Sequence, residues 1–127
     1  MSEPFTYRLK MENIRVYDGD TIKVKMLELG MEVNLANQSI RMEGINTPEI
    51  RGSAPYEKNL AYQARDYLHN ILEAAEVISF TSRKRGKFGR LIGRVYADGQ
   101  DVNEMMIDAG FARPYDGTGT RQPWVPN

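Results

Sequence analysis

Cysteine is absent, which excludes disulfides, thiolate metal sites and a cysteine nucleophile. The compartment stays open, because a chain without thiols is indifferent to redox. Histidine is nearly absent: His69 stands alone, so a multi-histidine zinc site is excluded and any bound metal must be held by oxygen. No apolar run approaches the ~18 to 20 residues of a bilayer-spanning helix. The opening MSEPFTYRLK lacks the basic start and apolar stretch of a signal peptide, so the default expectation is a soluble, cytoplasmic protein without a membrane partner. Excess charge of one sign is missing too, with 17 Lys and Arg against 17 Asp and Glu. A nucleic-acid partner would therefore need a local basic patch. The 127 residues, 41% apolar and 27% charged, suit one domain with one modest core.

What the chain does contain is strand periodicity. Phe5, Tyr7, Leu9 and Met11 alternate with Thr6, Arg8 and Lys10, and Ile22, Val24 and Met26 alternate with Lys23 and Lys25, the period of half-buried strands. Between them Asp18-Gly19-Asp20 reads as a turn. Met31, Val33 and Leu35 alternate again, Asn37-Gln38-Ser39 interrupts, and Ile40 to Ile45 resumes the pattern before Thr47-Pro48; Gly30 marks a hairpin. From about Glu57 the period becomes helical: Leu60, Ala61, Ala64, Leu68, Ile71, Leu72 and Ala75 share one face, with Pro55 in the first turn. Tyr56, Tyr62 and Tyr67 read as helix-packing residues, and His69 as a surface or packing residue.

EVISFT (76–81) and LIGRVYA (91–97) are β-rich, with a basic, glycine-punctuated loop between them and a turn at Asp98-Gly99. Val102 to Ala109 suits a short helix ended by Gly110. The order strands, helix, strands, helix predicts a mainly β member of the α+β class with a mainly antiparallel sheet. The domain is taken as 1–127, with a core over 5–115. An irregular tail over 116–127 holds too much glycine and proline for a helix.

Three segments carry candidate chemistry. Asp18-Gly19-Asp20-Thr21 places two carboxylates on a tight turn, where they can converge on a cation or simply shape a hairpin. In Arg41-Met42-Glu43-Gly44-Ile45-Asn46-Thr47-Pro48-Glu49, an arginine within an apolar strand needs an anion. That anion is Glu43 or Glu49 in a structural ion pair, or a phosphate held by the guanidinium fork. Pro48 stiffens the strand exit, so that Asn46, the Thr47 carbonyl and Glu49 are presented at a fixed place. Arg83 to Arg90 gathers five cations, Arg94 follows, and no acid occurs between Glu76 and Asp98. This is either a solvated loop or a nucleic-acid patch in which Phe88 offers a stacking face.

Taken together these motifs resemble the staphylococcal nuclease (thermonuclease) family. The resemblance runs from about Ile14 to Tyr115 through VYDGDTIKV, IRMEGINTPE, the long helix, KFGRLIGRVYADG and VNEMMIDAGFA, in the family's order. It implies a five-stranded OB-type barrel with one long and one short packed helix. It also implies a calcium site on the Asp20 carboxylate, the Asn46 side chain and the Thr47 carbonyl, with Mg²⁺ or Mn²⁺ as alternatives. Glu49 matches the family's general base, Arg41 and Arg90 its two phosphate-binding arginines, and Lys87 and Phe88 its substrate-binding lysine and aromatic. The implied activity is metal-dependent endonuclease hydrolysis of DNA and RNA by a monomer, leaving 3′-phosphate ends.

The sequence departs from the family's best-known members in three places. Asn46 stands where they carry Asp, the interval from Asp20 to Arg41 is longer, and the tail ends without a last helix; Pro123, Trp124 and Val125 are expected to cover that side of the barrel. The alternative reading is a catalytically weak or inactive OB-fold module that binds nucleic acid or protein. A purely structural OB domain leaves Arg41 and the basic loop without a purpose.

Overall fold

The computed structural model describes residues 5–51, 54–85, 89–117 and 124. Strands β1 (Phe5–Leu9), β2 (Ile14–Asp18), β3 (Thr21–Gly30) and β4 (Val33–Met42) come first, with a short 3-10 turn at Met11–Asn13. A two-residue strand β5 (Ile45–Asn46) precedes helix α1 (Pro55–Ala74). Strands β6 (Ile78–Arg85), β7 (Leu91–Ala97) and β8 (Gln100–Asp101), helix α2 (Val102–Asp108) and β9 (Arg113–Pro114) complete the order.

The main sheet runs β1-β6-β7-β4-β3-β2, with β8 on β7, and β5 pairs separately with β9. Every pairing is antiparallel except β4 with β7, where Ile40 to Met42 run alongside Leu91 to Gly93. The sheet curls until β1 approaches β3, and Lys10 bridges to Glu28 at 3.2 Å across that seam. The result is a mixed, mainly antiparallel half-barrel with two helices, in agreement with the OB-like α+β reading.

The alternation read from β3 is what buries Ile22 and Val24, and Ile40 and Met42 of β4, Phe80 of β6 and Val95 of β7 close the same core. Helix α1 turns Ala61, Ala64, Leu68 and Leu72 inward, one stripe at helical spacing. Pro55 opens it in the first turn, where its missing N–H is not needed. Its small residues matter, because Gly19 of the β2–β3 turn lies directly beneath: a Cβ there would stand 2.9 Å from the Ala64 Cβ and 3.0 Å from that of Thr47. The turn carrying Asp18 and Asp20 is thus wedged between the helix and the strand exit. Helix α2 is capped by Asp101, whose carboxylate accepts the Glu104 N–H, and Gly110 follows its end at φ +83°.

Some local expectations change. Asn37-Gln38-Ser39 does not interrupt the sheet: β4 is continuous, and Asn37 absorbs the irregularity with a φ of +52°, a conformation asparagine tolerates. β6 continues to Arg85, so the basic run begins on a strand rather than in a loop. Of the three helix tyrosines only Tyr67 packs inward, against Phe111 at 4.9 Å between ring centroids; Tyr56 and Tyr62 are exposed. His69 lies on the outer face beside Glu73, 2.8 Å away.

Candidate active site

The β2–β3 turn folds on its own chemistry, since the Asp18 carboxylate accepts the Asp20 N–H at 3.1 Å, the usual bond of an Asx turn. This aims Asp20 inward. Its side chain is buried, with Oδ1 accepting the Thr21 hydroxyl at 3.0 Å and Oδ2 accepting the Thr47 N–H at 3.0 Å. The second bond spans 27 residues of sequence and ties the turn to the strand exit.

Arg41 reaches the same carboxylate because β3 and β4 pair with Thr21 opposite Arg41. One terminal nitrogen, Nη1, lies 3.3 Å from Asp20 Oδ2 and donates to the Met42 carbonyl at 2.9 Å, while Nη2 donates to the Ile45 carbonyl at 2.9 Å. The carboxylate beside this arginine is therefore Asp20, where the sequence had offered Glu43 or Glu49 for an ion pair, or else a phosphate. Glu43 faces Arg94 instead, at 3.9 Å, and Arg94 also bonds Asp101 at 2.8 Å and lies 3.7 Å from Glu104. Arg94 is consequently enclosed by acids brought from other segments and does not extend the basic patch.

Asp20, Arg41, Glu49 and Arg90 line one cavity of about 370 Å³, together with Asp18 and Lys23. Four of the residues singled out in sequence thus meet at one place. Glu49 is presented at its rim by Pro48, which is buried, and by the Glu57 carboxylate of α1, whose Oε2 accepts the Glu49 N–H at 2.9 Å. The other oxygen of Glu57 accepts the backbone N–H of Trp124 at 3.3 Å. Trp124 in turn stacks on the Arg113 guanidinium, 3.7 Å from its ring centroid, so the tail does lie against this side of the fold at that residue. Pro123 and Val125 fall outside the described residues, as do Lys87 and Phe88.

Asn46 and Thr47 are buried behind the cavity and do not line it. Strand β5 holds them through its pairing with β9, where Asn46 lies opposite Arg113. The Asn46 Oδ1 is buried with no hydrogen-bond partner among the described residues. Among those residues no cluster of three or more Asp, Glu or His side chains could hold a metal. The donors at hand are the carboxylates of Asp18 and Asp20 and the orphaned amide oxygen one residue before Thr47. An all-oxygen set of mixed charge suits a hard divalent cation, which also accepts carbonyls and water as ligands, so the residues fit such an ion.

Electrostatics point to the same place. The Asp18 carboxyl is raised to about 7, by burial first and then by the Asp20 charge and a side-chain hydrogen bond with Asp20, against the opposite pull of the Asp20 N–H and the Arg41 charge. Two crowded carboxylates thus stand beside Arg41, in a cavity whose wall also carries Lys23, Arg51 and Arg90.

Sequence reasoning missed several residues of the cavity wall, namely Tyr17, Lys23, Ser39 and Arg51. Lys23 was legible in part, since alternation puts it on the face of Thr21. Its ammonium lies 3.4 Å from the Ser39 hydroxyl and 5.3 Å from the centre of the Tyr17 ring. No alternation signal reaches Arg51, which lies beyond the strands.

The family model described as Staphylococcal nuclease homologue matches residues 39–123. Among known proteins, an "Uncharacterized endonuclease" of Escherichia coli O157:H7 is 31% identical over 104 residues, which cover 81% of this chain and 59% of that protein. Endonuclease YncB of Bacillus subtilis (strain 168) is 29% identical over 103 residues, covering 78% of this chain and 44% of its own. The SPbeta prophage-derived endonuclease YokF of the same organism is 30% identical over 103 residues, covering 78% and 32%. The chain thus spans 59% of the E. coli relative's length and less of the other two.

Proposed function

The chain belongs to the staphylococcal nuclease homologue family, and from that premise we propose that it hydrolyses phosphodiester bonds of DNA and RNA with the help of a divalent cation. The observation that carries this reading is the convergence of Asp20, Arg41, Glu49 and Arg90 on one cavity of about 370 Å³, room for a nucleotide's phosphate and sugar. The names of the relatives support the same activity class.

In this reading Arg41, anchored by the Met42 and Ile45 carbonyls, and Arg90 direct planar guanidinium donors at the phosphate. Glu49, held at the rim by Glu57, takes the proton of the attacking water. Water oxygen bonds to phosphorus while the bond to the 5′ oxygen breaks and that oxygen takes a proton from solvent water, so the products are a 3′-phosphate and a 5′-hydroxyl end. Asp20, Asn46 and the Thr47 carbonyl would hold Ca²⁺, or Mg²⁺ or Mn²⁺ in its place, and the ion would supply positive charge beside the phosphodiester. Lys87 and Phe88 take the neighbouring phosphate and nucleotide. The chain is expected to act as a monomer.

The test is digestion of DNA and RNA in EDTA, Ca²⁺, Mg²⁺ or Mn²⁺ with end-group analysis of the products. Divalent-dependent cleavage leaving 3′-phosphates is expected. Binding without cleavage under every metal overturns the enzyme in favour of a binding module.

A further inference from the structure

A second cavity, of about 540 Å³, opens beside the first and shares Lys23 and Ser39 with it. Strand pleating explains the continuity. Arg15 and Tyr17 lie on one face of β2, Thr21, Lys23 and Lys25 on one face of β3, and Ser39 and Arg41 on one face of β4, because side chains two residues apart point the same way. Thr21 is paired with Arg41, and Lys23 with both Ser39 and Arg15. The first cavity takes the Tyr17, Thr21 and Arg41 end of this face, and the second takes the Arg15 and Lys25 end.

The charge arrangement on that face is unfavourable for the chain alone. Arg15 and Lys23 stand directly opposite each other on neighbouring strands, a like-charge pairing that weakens a sheet. Lys25 adds a third cation on the same face, about 6.8 Å further along β3. Among the described residues neither Arg15 nor Lys25 has an ion-pair partner, and Glu12 is the only acid in the wall of the second cavity. Asn13, Asn37 and Gln38 add carboxamides that both donate and accept hydrogen bonds.

We propose that Arg15, Lys23 and Lys25 form a cationic groove that binds the single-stranded nucleic acid flanking the phosphate in the first cavity. The cations neutralise successive backbone phosphates, the carboxamides meet base edges, and Tyr17 gives a stacking face in the wall of the first cavity. A single strand fits this shape better than a duplex, whose bases are already stacked and paired and cannot enter pockets of this size. The proposal rests on the nuclease reading for its register but not for its binding chemistry, so the two can fail separately.

The experiment measures anisotropy of a fluorescent 12-nucleotide DNA, and of an RNA of the same sequence, in EDTA over a salt series. The wild type is compared with Arg15→Ala/Lys25→Ala, neither position lining the first cavity. The double variant is expected to bind at least about tenfold more weakly, and its slope of log K against log salt is expected to fall by about 1.4, roughly 0.7 for each lost contact with a single strand. With a dinucleotide substrate and a divalent ion, kcat/KM is expected to be unchanged, while KM for the 12-mer rises. If the alanine pair fails to fold, Arg15→Gln/Lys25→Gln keeps more of the side-chain stems and gives the same reading. Unchanged affinity and slope overturn the groove, and equally tight binding of the matching duplex overturns its single-strand character. A reduced slope in a chain that cleaves nothing leaves the groove standing and removes the nuclease reading.

Discussion

The guanidinium of Arg41 stands 3.3 Å from the carboxylate of Asp20, with both side chains largely withdrawn from solvent. The residue assigned to the phosphate is thus electrostatically coupled to the residue assigned to the cation, and each charge helps to hold the other in place. Arg41→Lys keeps the charge but cannot reproduce the fork that bonds both the Met42 and Ile45 carbonyls. It is expected to lower turnover by about 100-fold or more and stability by about 2 kcal/mol. Arg90→Lys is expected to lower turnover similarly. Steady-state rates and denaturant melts of both variants check this, and near-normal cleavage by the two removes the phosphate clamp.

Asn46 offers the sharpest test of the cation site. Its side chain is only 4% exposed, and its amide oxygen lacks a partner among the described residues. A carboxylate introduced there by Asn46→Asp is poorly solvated, so in EDTA the variant should melt below the wild type. Added Ca²⁺ should raise its melting temperature more than that of the wild type, and the metal concentration giving half-maximal rate should fall. Equal responses of the two proteins to Ca²⁺ would take Asn46 out of the site.

Asp18 gives a pH dependence of known sign. Its carboxyl is raised from 3.8 to about 7 in the folded protein, so between those values the native state holds a proton that the unfolded state has released. Stability therefore falls as pH rises from about 4 to about 7 on account of this group. Asp18→Asn keeps an oxygen to accept the Asp20 N–H and has no proton to lose. In metal-free buffer it should flatten that part of the pH profile, which denaturant unfolding from pH 4 to 8 would reveal; an unaltered slope assigns the effect to other groups.

Glu57 is the support of the proposed base. Its two oxygens take the N–H groups of Glu49 and Trp124, whereas Gln has one oxygen and must turn an NH₂ group toward the other donor. Glu57→Gln should reduce kcat by about ten- to a hundredfold through displacement of Glu49, with the metal concentration for half-maximal rate unchanged. A shift in that metal requirement with kcat preserved would place Glu57 with the cation rather than with the base.

Read by itself, the amino-acid sequence determined the element types and most of their places. Pleating and helical periods are local, so Ile22 and Val24 announce a strand and Ala61, Ala64, Leu68 and Leu72 a helix wherever they sit in the fold. The turn at Asp18 to Asp20 was legible for the same reason, as was the need of Arg41 for an anion. Which anion that would be was decided only by the tertiary structure. Alternation places Arg41 and Glu43 on one strand face, but the register of β3 against β4 brings Asp20 to Arg41 and leaves Glu43 to Arg94. Likewise a count of cations found the 83–90 run but not the Arg15–Lys23 pair, whose members come from two strands that only their turn sets in register. Periodicity tells which residues share a face of one strand; the pairing of strands, set by turn geometry and core packing across the whole chain, tells which charges from different strands meet.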